Sequence, residues 1–261
     1  VSTSFPRKEL QERIDVISYD LKLDWYYALT TPIADRDVWQ HLRVGESLWN
    51  LRQIPPTNVW TWPTWGAPYQ VPSWLFRVCL WPFWSAFGER GLDLWRWLTI
   101  LTLLALLFRA ARAASNGAGS GLLTFAVLGW SALFWRQRWG CRPETLAALL
   151  LAAEIWILER RRHQATAATL FRDPAWALVP LQFVWINAHV SFPIGLFTTV
   201  AFLADAGWRL ARGDRSGRPL QLAFIVSIAV AASFLNPYGV RGVLEAVVLM
   251  VHRRHELIFR K

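Results

Sequence analysis

The chain has 261 residues, of which 54% are hydrophobic and only 18% charged, and it carries a formal net charge of +10. Its arginines lie between apolar blocks and not along one polar face, which excludes a nucleic-acid-binding domain and fits the basic loops of a multi-pass membrane protein. Its two cysteines, Cys79 and Cys141, lack metal-ligand spacing and exclude a disulfide framework, so both read as packing residues.

In chain order, residues 1–91 are predicted to form an outer-face and interfacial region, of which residues 1 to about 72 are polar, aromatic and proline-rich with no apolar stretch long enough to span a bilayer. Segment 16–25 alternates apolar and polar residues, as a strand or an interfacial segment does. An acidic run follows, Asp35-Arg36-Asp37-Val38-Trp39-Gln40-His41. Segment 73–87 is apolar but carries Arg77 and a central Pro82, which predicts a helix lying in the membrane interface. Residues 92–261 are a transmembrane domain. Its apolar blocks lie near 94–109, 118–135, 144–158, 174–189, 192–208 and 219–235, and a seventh, 240–251, is incomplete. The class predicted is all-α, a polytopic bundle of six to seven spans beneath an N-terminal region with interfacial helices. The 18 tryptophans suit anchoring at headgroup level.

Arginine counting orients the bundle. Alternate connections hold ten arginines, 109, 112, 160, 161, 162, 172, 209, 212, 215 and 218, against four (Arg90, Arg136, Arg138 and Arg142) in the short loops of the other face. The ten are predicted to be cytoplasmic. The outer face then receives the acidic run together with Arg142, Asn187, His189 and Asn236.

These residues fall in a recognisable order. The stretch Asp35-x-Asp37-x-Trp39-x-His41-Leu42-x-x-Gly45 is followed by Ile54-Pro55, Trp60-Thr61, Gly66 and Trp74-Leu75. Arg142-Pro143-Glu144, Trp185-x-Asn187-x-His189 and Asn236-Pro237-Tyr238-Gly239 come later. Together they resemble bacterial membrane glycosyltransferases of the C-type fold, above all the mannosyltransferase-like members, over residues 35 to 240. The resemblance implies transfer of a sugar from a polyprenyl-phosphate donor at the outer face of the inner membrane. Asp35 or Asp37 would then take the acceptor proton. Arg142, His189 and Arg43 would stabilise the leaving phosphate, with His41, Asn187 and Asn236 completing the substrate site. An Asp-x-Asp pair is compatible with Mg²⁺ or Mn²⁺ and requires neither.

Two departures imply a truncated or degenerate member. The position of the family's first spanning helix holds Asp15, Asp20, Lys22 and Asp24, and Asn58 stands where relatives carry an acid. The alternative is therefore a non-catalytic subunit packing against partner helices in a larger membrane complex. Each residue also has a structural reading: Asp35 and Asp37 as turn residues after Pro32, His41 packed on an aromatic ring, and His189 in an interfacial hydrogen bond. Arg142-Pro143-Glu144 suits a helix start, and Asn236–Gly239 a helix stop. Glu154 and Asp205 are read as residues near the cytoplasmic ends of their blocks, with Asp205 paired to Arg209.

Overall fold

The computed structural model describes residues 37–60, 64–71, 73–135, 140–163, 170–246 and 248. Asp35 and the 16–25 segment lie outside the described residues. Among those described the secondary structure is helical, and the only β-type pairing is an isolated bridge between Thr57 and Pro68.

The acidic run does not stay in a loop. From Asp37 it enters α1 (Asp37–Leu51). Asp37 sits in the first turn, where a carboxylate complements the helix dipole. Val38, His41, Leu42, Gly45 and Leu48 recur at helical spacing and are buried. The helix α2 (Trp74–Phe87) covers that stripe, running antiparallel to it. Trp39 meets Trp84 edge-on at 5.3 Å near one end of the pair, and Trp49 reaches Val78 near the other. Two sequence details make the packing close. A Cβ on Gly45 would lie 2.5 Å from the Arg77 carbonyl oxygen, so only glycine allows α1 to approach this near. Pro82 lacks the N–H that would bond the Val78 carbonyl one turn back, and the Trp49 indole donates to that carbonyl instead, at 2.8 Å.

The predicted apolar blocks are all helical. They correspond to α3 (Glu89–Ala114), α4 (Gly121–Trp135), α5 (Pro143–Arg162), α6 (Leu178–Ala188), α7 (Phe192–Ala211) and α8 (Pro219–Ala232), with a last helical stretch at 240–246. The segment 174–189 is the exception in detail, since it opens with a 3₁₀ turn, Pro174–Ala177, before α6. Among the described residues, α3 and α7 are long and apolar enough to cross a membrane. The others are shorter or carry too much charge for that criterion.

Successive helices alternate in direction. Leu92 near the start of α3 accepts from Cys141 just before α5, and Arg109 lies over Trp156 further along both, so these two run the same way. Glu154 and Arg162 on α5 meet Thr199 and Asp205 on α7 in the same sense. The bundle therefore has two ends. At one, Arg161 donates through Nε to both Asp173 oxygens, at 3.1 and 3.0 Å, and through its other nitrogens to the carbonyls of Gly217 and Arg218. That clamp ties α5 to the 3₁₀ turn and the α7–α8 loop. Asp173 also caps the turn by accepting from the Ala175 amide. Asp205 bridges Arg162 and Arg209 nearby, as the i,i+4 spacing predicts. The ten arginines gather at this end. The other end carries α1, α2, the start of α5, the α6–α7 turn and the chain after α8.

Glu154 is not close to a helix end. It lies well inside α5, 1% exposed, and accepts from the Thr199 hydroxyl at 2.5 Å. The chain backbone passes so near at Gly195 that a Cβ there would meet Glu154 and Trp185, each at 2.6 Å. Cys141 is a packing residue, fully buried, whereas Cys79 is exposed on α2. The helix α4 leans chiefly on α3 and turns Leu122, Phe125 and Trp130 outward, 80%, 70% and 66% exposed.

Candidate functional site

The end opposite the arginine clamp holds a cavity of about 180 Å³. Its walls come from the loop before α2 (Tyr69, Gln70, Val71 and Ser73), from Trp74, from Ile186, Asn187, Val190 and Phe192 around the α6–α7 turn, and from Asn236, Pro237, Tyr238 and Glu245 after α8. Three of the sequence motifs therefore supply its lining, those around Trp74, Asn187 and Asn236.

Local hydrogen bonding explains how these segments hold still. Asn187 accepts from the Trp74 indole N–H at 2.9 Å and donates to the carbonyls of Phe183, at 2.8 Å, and Leu235, at 3.4 Å. It pins α2, α6 and the chain after α8 to one another. Asn236 donates to the carbonyls of Ser233 and Gly239 and accepts from the Tyr238 amide, closing the turn that follows α8. Both amides, predicted for the substrate site, are thus committed to protein groups on each side. Gly239 takes the left-handed conformation, φ 55°, that this turn requires. The helix stop and the wall of the cavity are one structure.

Asn58 pins its loop. It is 2% exposed, donates to the Thr64 hydroxyl at 2.8 Å and accepts from the Trp60 amide at 3.0 Å. An amide can do both, which a carboxylate cannot.

The remaining predicted residues gather beside the cavity without lining it. Asp37 is exposed at the start of α1. His41 is buried with its ring edge-on to Phe76 at 5.3 Å. Val38 and Leu42 share a core cluster with Cys141, which brings the first turns of α1 next to the start of α5 and Arg142. Arg142 precedes α5, whose first helical residue is Pro143, as the Arg-Pro-Glu pattern predicts. His189 Nδ1 accepts from the Ser191 amide at 3.1 Å and lies 2.7 Å from the Ser191 hydroxyl. Burial lowers its pKa, and the Glu144 carboxylate opposes that shift, so α5 and the α6–α7 turn meet here. Arg43 points outward and pairs with Glu46 at 2.6 Å. Asp37 lies toward the Trp84 end of α2 and the cavity at the Trp74 end, separated by ten residues of helix, roughly 15 Å at 1.5 Å per residue. Among the described residues no three His, Cys, Asp or Glu side chains converge to hold a metal, and Asp35, the second carboxylate of the pair, lies outside them.

The sequence motifs assigned no role to two tyrosines on the cavity wall or to the arginine buried behind them. Tyr238 accepts from the Val71 amide at 2.7 Å, and burial raises its pKa, so it keeps its proton. Tyr69 stands on the same wall. Arg77 is 4% exposed, and its Nε and Nη1 have no hydrogen-bond partner among the described residues. The available signal was the lone arginine in an otherwise apolar segment, which the sequence placed only on a helix lying in the interface.

Comparisons of the chain with protein-family models, curated proteins and solved structures found no match.

Proposed function

We propose that the chain is a multi-pass protein of the bacterial inner membrane that transfers a sugar from a polyprenyl-phosphate donor at the outer face. The observation that carries this reading is the gathering of its four motifs at the end of the bundle opposite the ten arginines, three of them lining one aromatic and polar cavity. In this reading α3 to α8 each cross the bilayer. The shorter ones are accommodated by local thinning and by their interfacial tryptophans.

The chemistry follows from the residue types. The acceptor hydroxyl attacks the anomeric carbon, and its proton passes to the Asp37 carboxylate as the carbon–oxygen bond to phosphate breaks. The lipid phosphate leaves with the bonding pair, and Arg142 and His189 stabilise its charge. The cavity with Trp74 and Glu245 lies roughly 15 Å from Asp37, so in this reading it holds a part of the acceptor or carrier remote from the reacting carbon.

The test is transfer of labelled sugar from a polyprenyl-phosphate donor by membranes containing the full chain. Asp37→Ala is expected to reduce it by about 10²- to 10⁴-fold, the usual contribution of a general base. Membranes with the unaltered chain that transfer no more than Asp37→Ala membranes would remove the reading.

A second reading, a non-catalytic subunit of a membrane complex, draws on α4. Its outward Leu122 and Phe125 are 80% and 70% exposed among the described residues, as those of a helix packing against another subunit would be when alone. Isolation of an active monomer would eliminate it.

A further inference from the structure

Four groups near the cavity carry charge or unused donors: Arg77, Tyr69, Tyr238 and Glu245. Arg77 sits on α2 one turn beyond Ser73, which lines the cavity, and its amide donates to the Ser73 carbonyl at 3.3 Å. The groups that favour its charge are phenolic and not acidic, namely the oxygens of Tyr69 and Tyr238. Burial pushes its pKa below the usual arginine value and those oxygens only partly restore it. A buried guanidinium in such surroundings lacks the anion that normally compensates it.

The two phenols define what is missing. Tyr238 already receives the Val71 N–H, and Tyr69 lies against the guanidinium. Their lone pairs face donors, which leaves each O–H hydrogen as the open valence. Burial, and with it the Glu245 carboxylate near Tyr238 on the same lining, raises the pKa of that tyrosine. The cavity thus presents two hydroxyl donors backed by one cation, an arrangement that suits an oxyanion and not a neutral ligand. Its volume of about 180 Å³ holds roughly six waters at 30 Å³ each, enough for a compact headgroup. Glu245 on the same lining disfavours a bare anion and favours one carrying hydroxyl donors.

We propose that this cavity is a site for a phosphate monoester, with Arg77 supplying the positive charge and Tyr69 and Tyr238 the two hydroxyl donors. The site stands independently of sugar transfer, since a subunit that only held such a group would need the same residues. The phosphate belongs either to a lipid headgroup or to a soluble ester, and the two sources are separable by experiment.

The purified full chain is placed in phosphatidylcholine nanodiscs and titrated with glycerol phosphate, with sodium acetate at matched ionic strength as the control. Parallel nanodiscs contain polyprenyl phosphate, and stabilisation on heating reports occupancy. Saturable binding of glycerol phosphate assigns the site to soluble esters, and stabilisation by polyprenyl phosphate alone assigns it to the lipid. Either supports the proposal. Arg77→Met is expected to weaken binding about ten- to a hundredfold, as loss of a charged hydrogen-bonding partner does, while melting at the same temperature or higher because an uncompensated buried charge is gone. Tyr69→Phe and Tyr238→Phe keep the rings and are expected to weaken binding about fivefold or more each. If Asp37→Ala abolishes transfer yet binds as before, chemistry and anion capture are separate. The proposal is overturned if neither phosphate probe binds, if acetate binds equally well, or if Arg77→Met lowers the melting temperature with binding intact.

Discussion

Asn187 separates a substrate contact from a structural strut. It is 2% exposed, and both ends of its amide are engaged, with the Trp74 indole on Oδ1 and the Phe183 and Leu235 carbonyls on Nδ2. Asn187→Ala leaves the indole N–H without an acceptor, at about 1–3 kcal/mol. It also opens a small void, at about 1 kcal/mol. The Phe183 carbonyl keeps its helical partner and adds little. The sum, about 2–4 kcal/mol, corresponds to a fall in melting temperature of roughly 5–12 °C for a chain of this size, read by circular dichroism in detergent. Trp74→Phe removes the donor together with part of the ring, and the double-mutant cycle with Asn187→Ala separates the hydrogen bond from that packing loss, with an expected coupling of about 1 kcal/mol. The reasoning fails if coupling is below about 0.3 kcal/mol. It fails equally if Asn187→Ala melts like the unaltered chain but loses ligand, because the amide then serves the ligand and not the fold.

Gly45→Ala drives a methyl group to 2.5 Å from the Arg77 carbonyl and is expected to separate α1 from α2, at about 1–3 kcal/mol; protease cleavage of α1 should accelerate, and an unchanged rate counts against the close crossing. Asp173→Ala strands the buried Arg161 guanidinium and is expected to cost about 3–5 kcal/mol. Adding Arg161→Met should recover part of that loss, and no recovery argues against the ion pair. His189 is held neutral in the fold because burial lowers its pKa. The unfolded chain binds the proton more readily, so stability present above about pH 6.5 is lost as pH falls through that value. His189→Gln should abolish that part of the slope in melting temperature against pH, and a slope that persists unchanged places its origin elsewhere.

The helices were legible where composition alone decides them. Blocks such as 94–109 and 192–208 are long and predominantly apolar, and a helix satisfies their backbone wherever they are buried. The helix α1 was legible in principle, because Val38, His41, Leu42, Gly45 and Leu48 keep helical spacing, but its charged opening drew attention to chemistry and away from period. The gathering of the motifs at one end followed from arginine counting, which uses only alternation between helices. What the sequence did not reveal is which partner each polar atom takes. Asn187 and Asn236 look like ligand contacts until the Leu235, Ser233 and Gly239 carbonyls appear beside them. Those carbonyls come from the chain just past α8, and no local pattern announces them. Glu154 failed for the same reason, since Thr199 lies 45 residues away.

The motifs that made the chain resemble an enzyme are in large part the residues that build its scaffold. Gly45 lets α1 reach α2, Trp49 replaces the bond that Pro82 removes, and Asn187 and Asn236 fix the cavity walls. A scaffold of this kind needs such residues whether or not chemistry occurs on it, so their presence does not by itself argue for a reaction. The discriminating groups are those whose polar atoms the fold only partly matches. A guanidinium 4% exposed, with two nitrogens unpartnered among the described residues, destabilises the fold unless something binds to it. Arg77 therefore bears on function more directly than the asparagines do, and capture of an anion is the step on which the enzyme and the subunit readings converge.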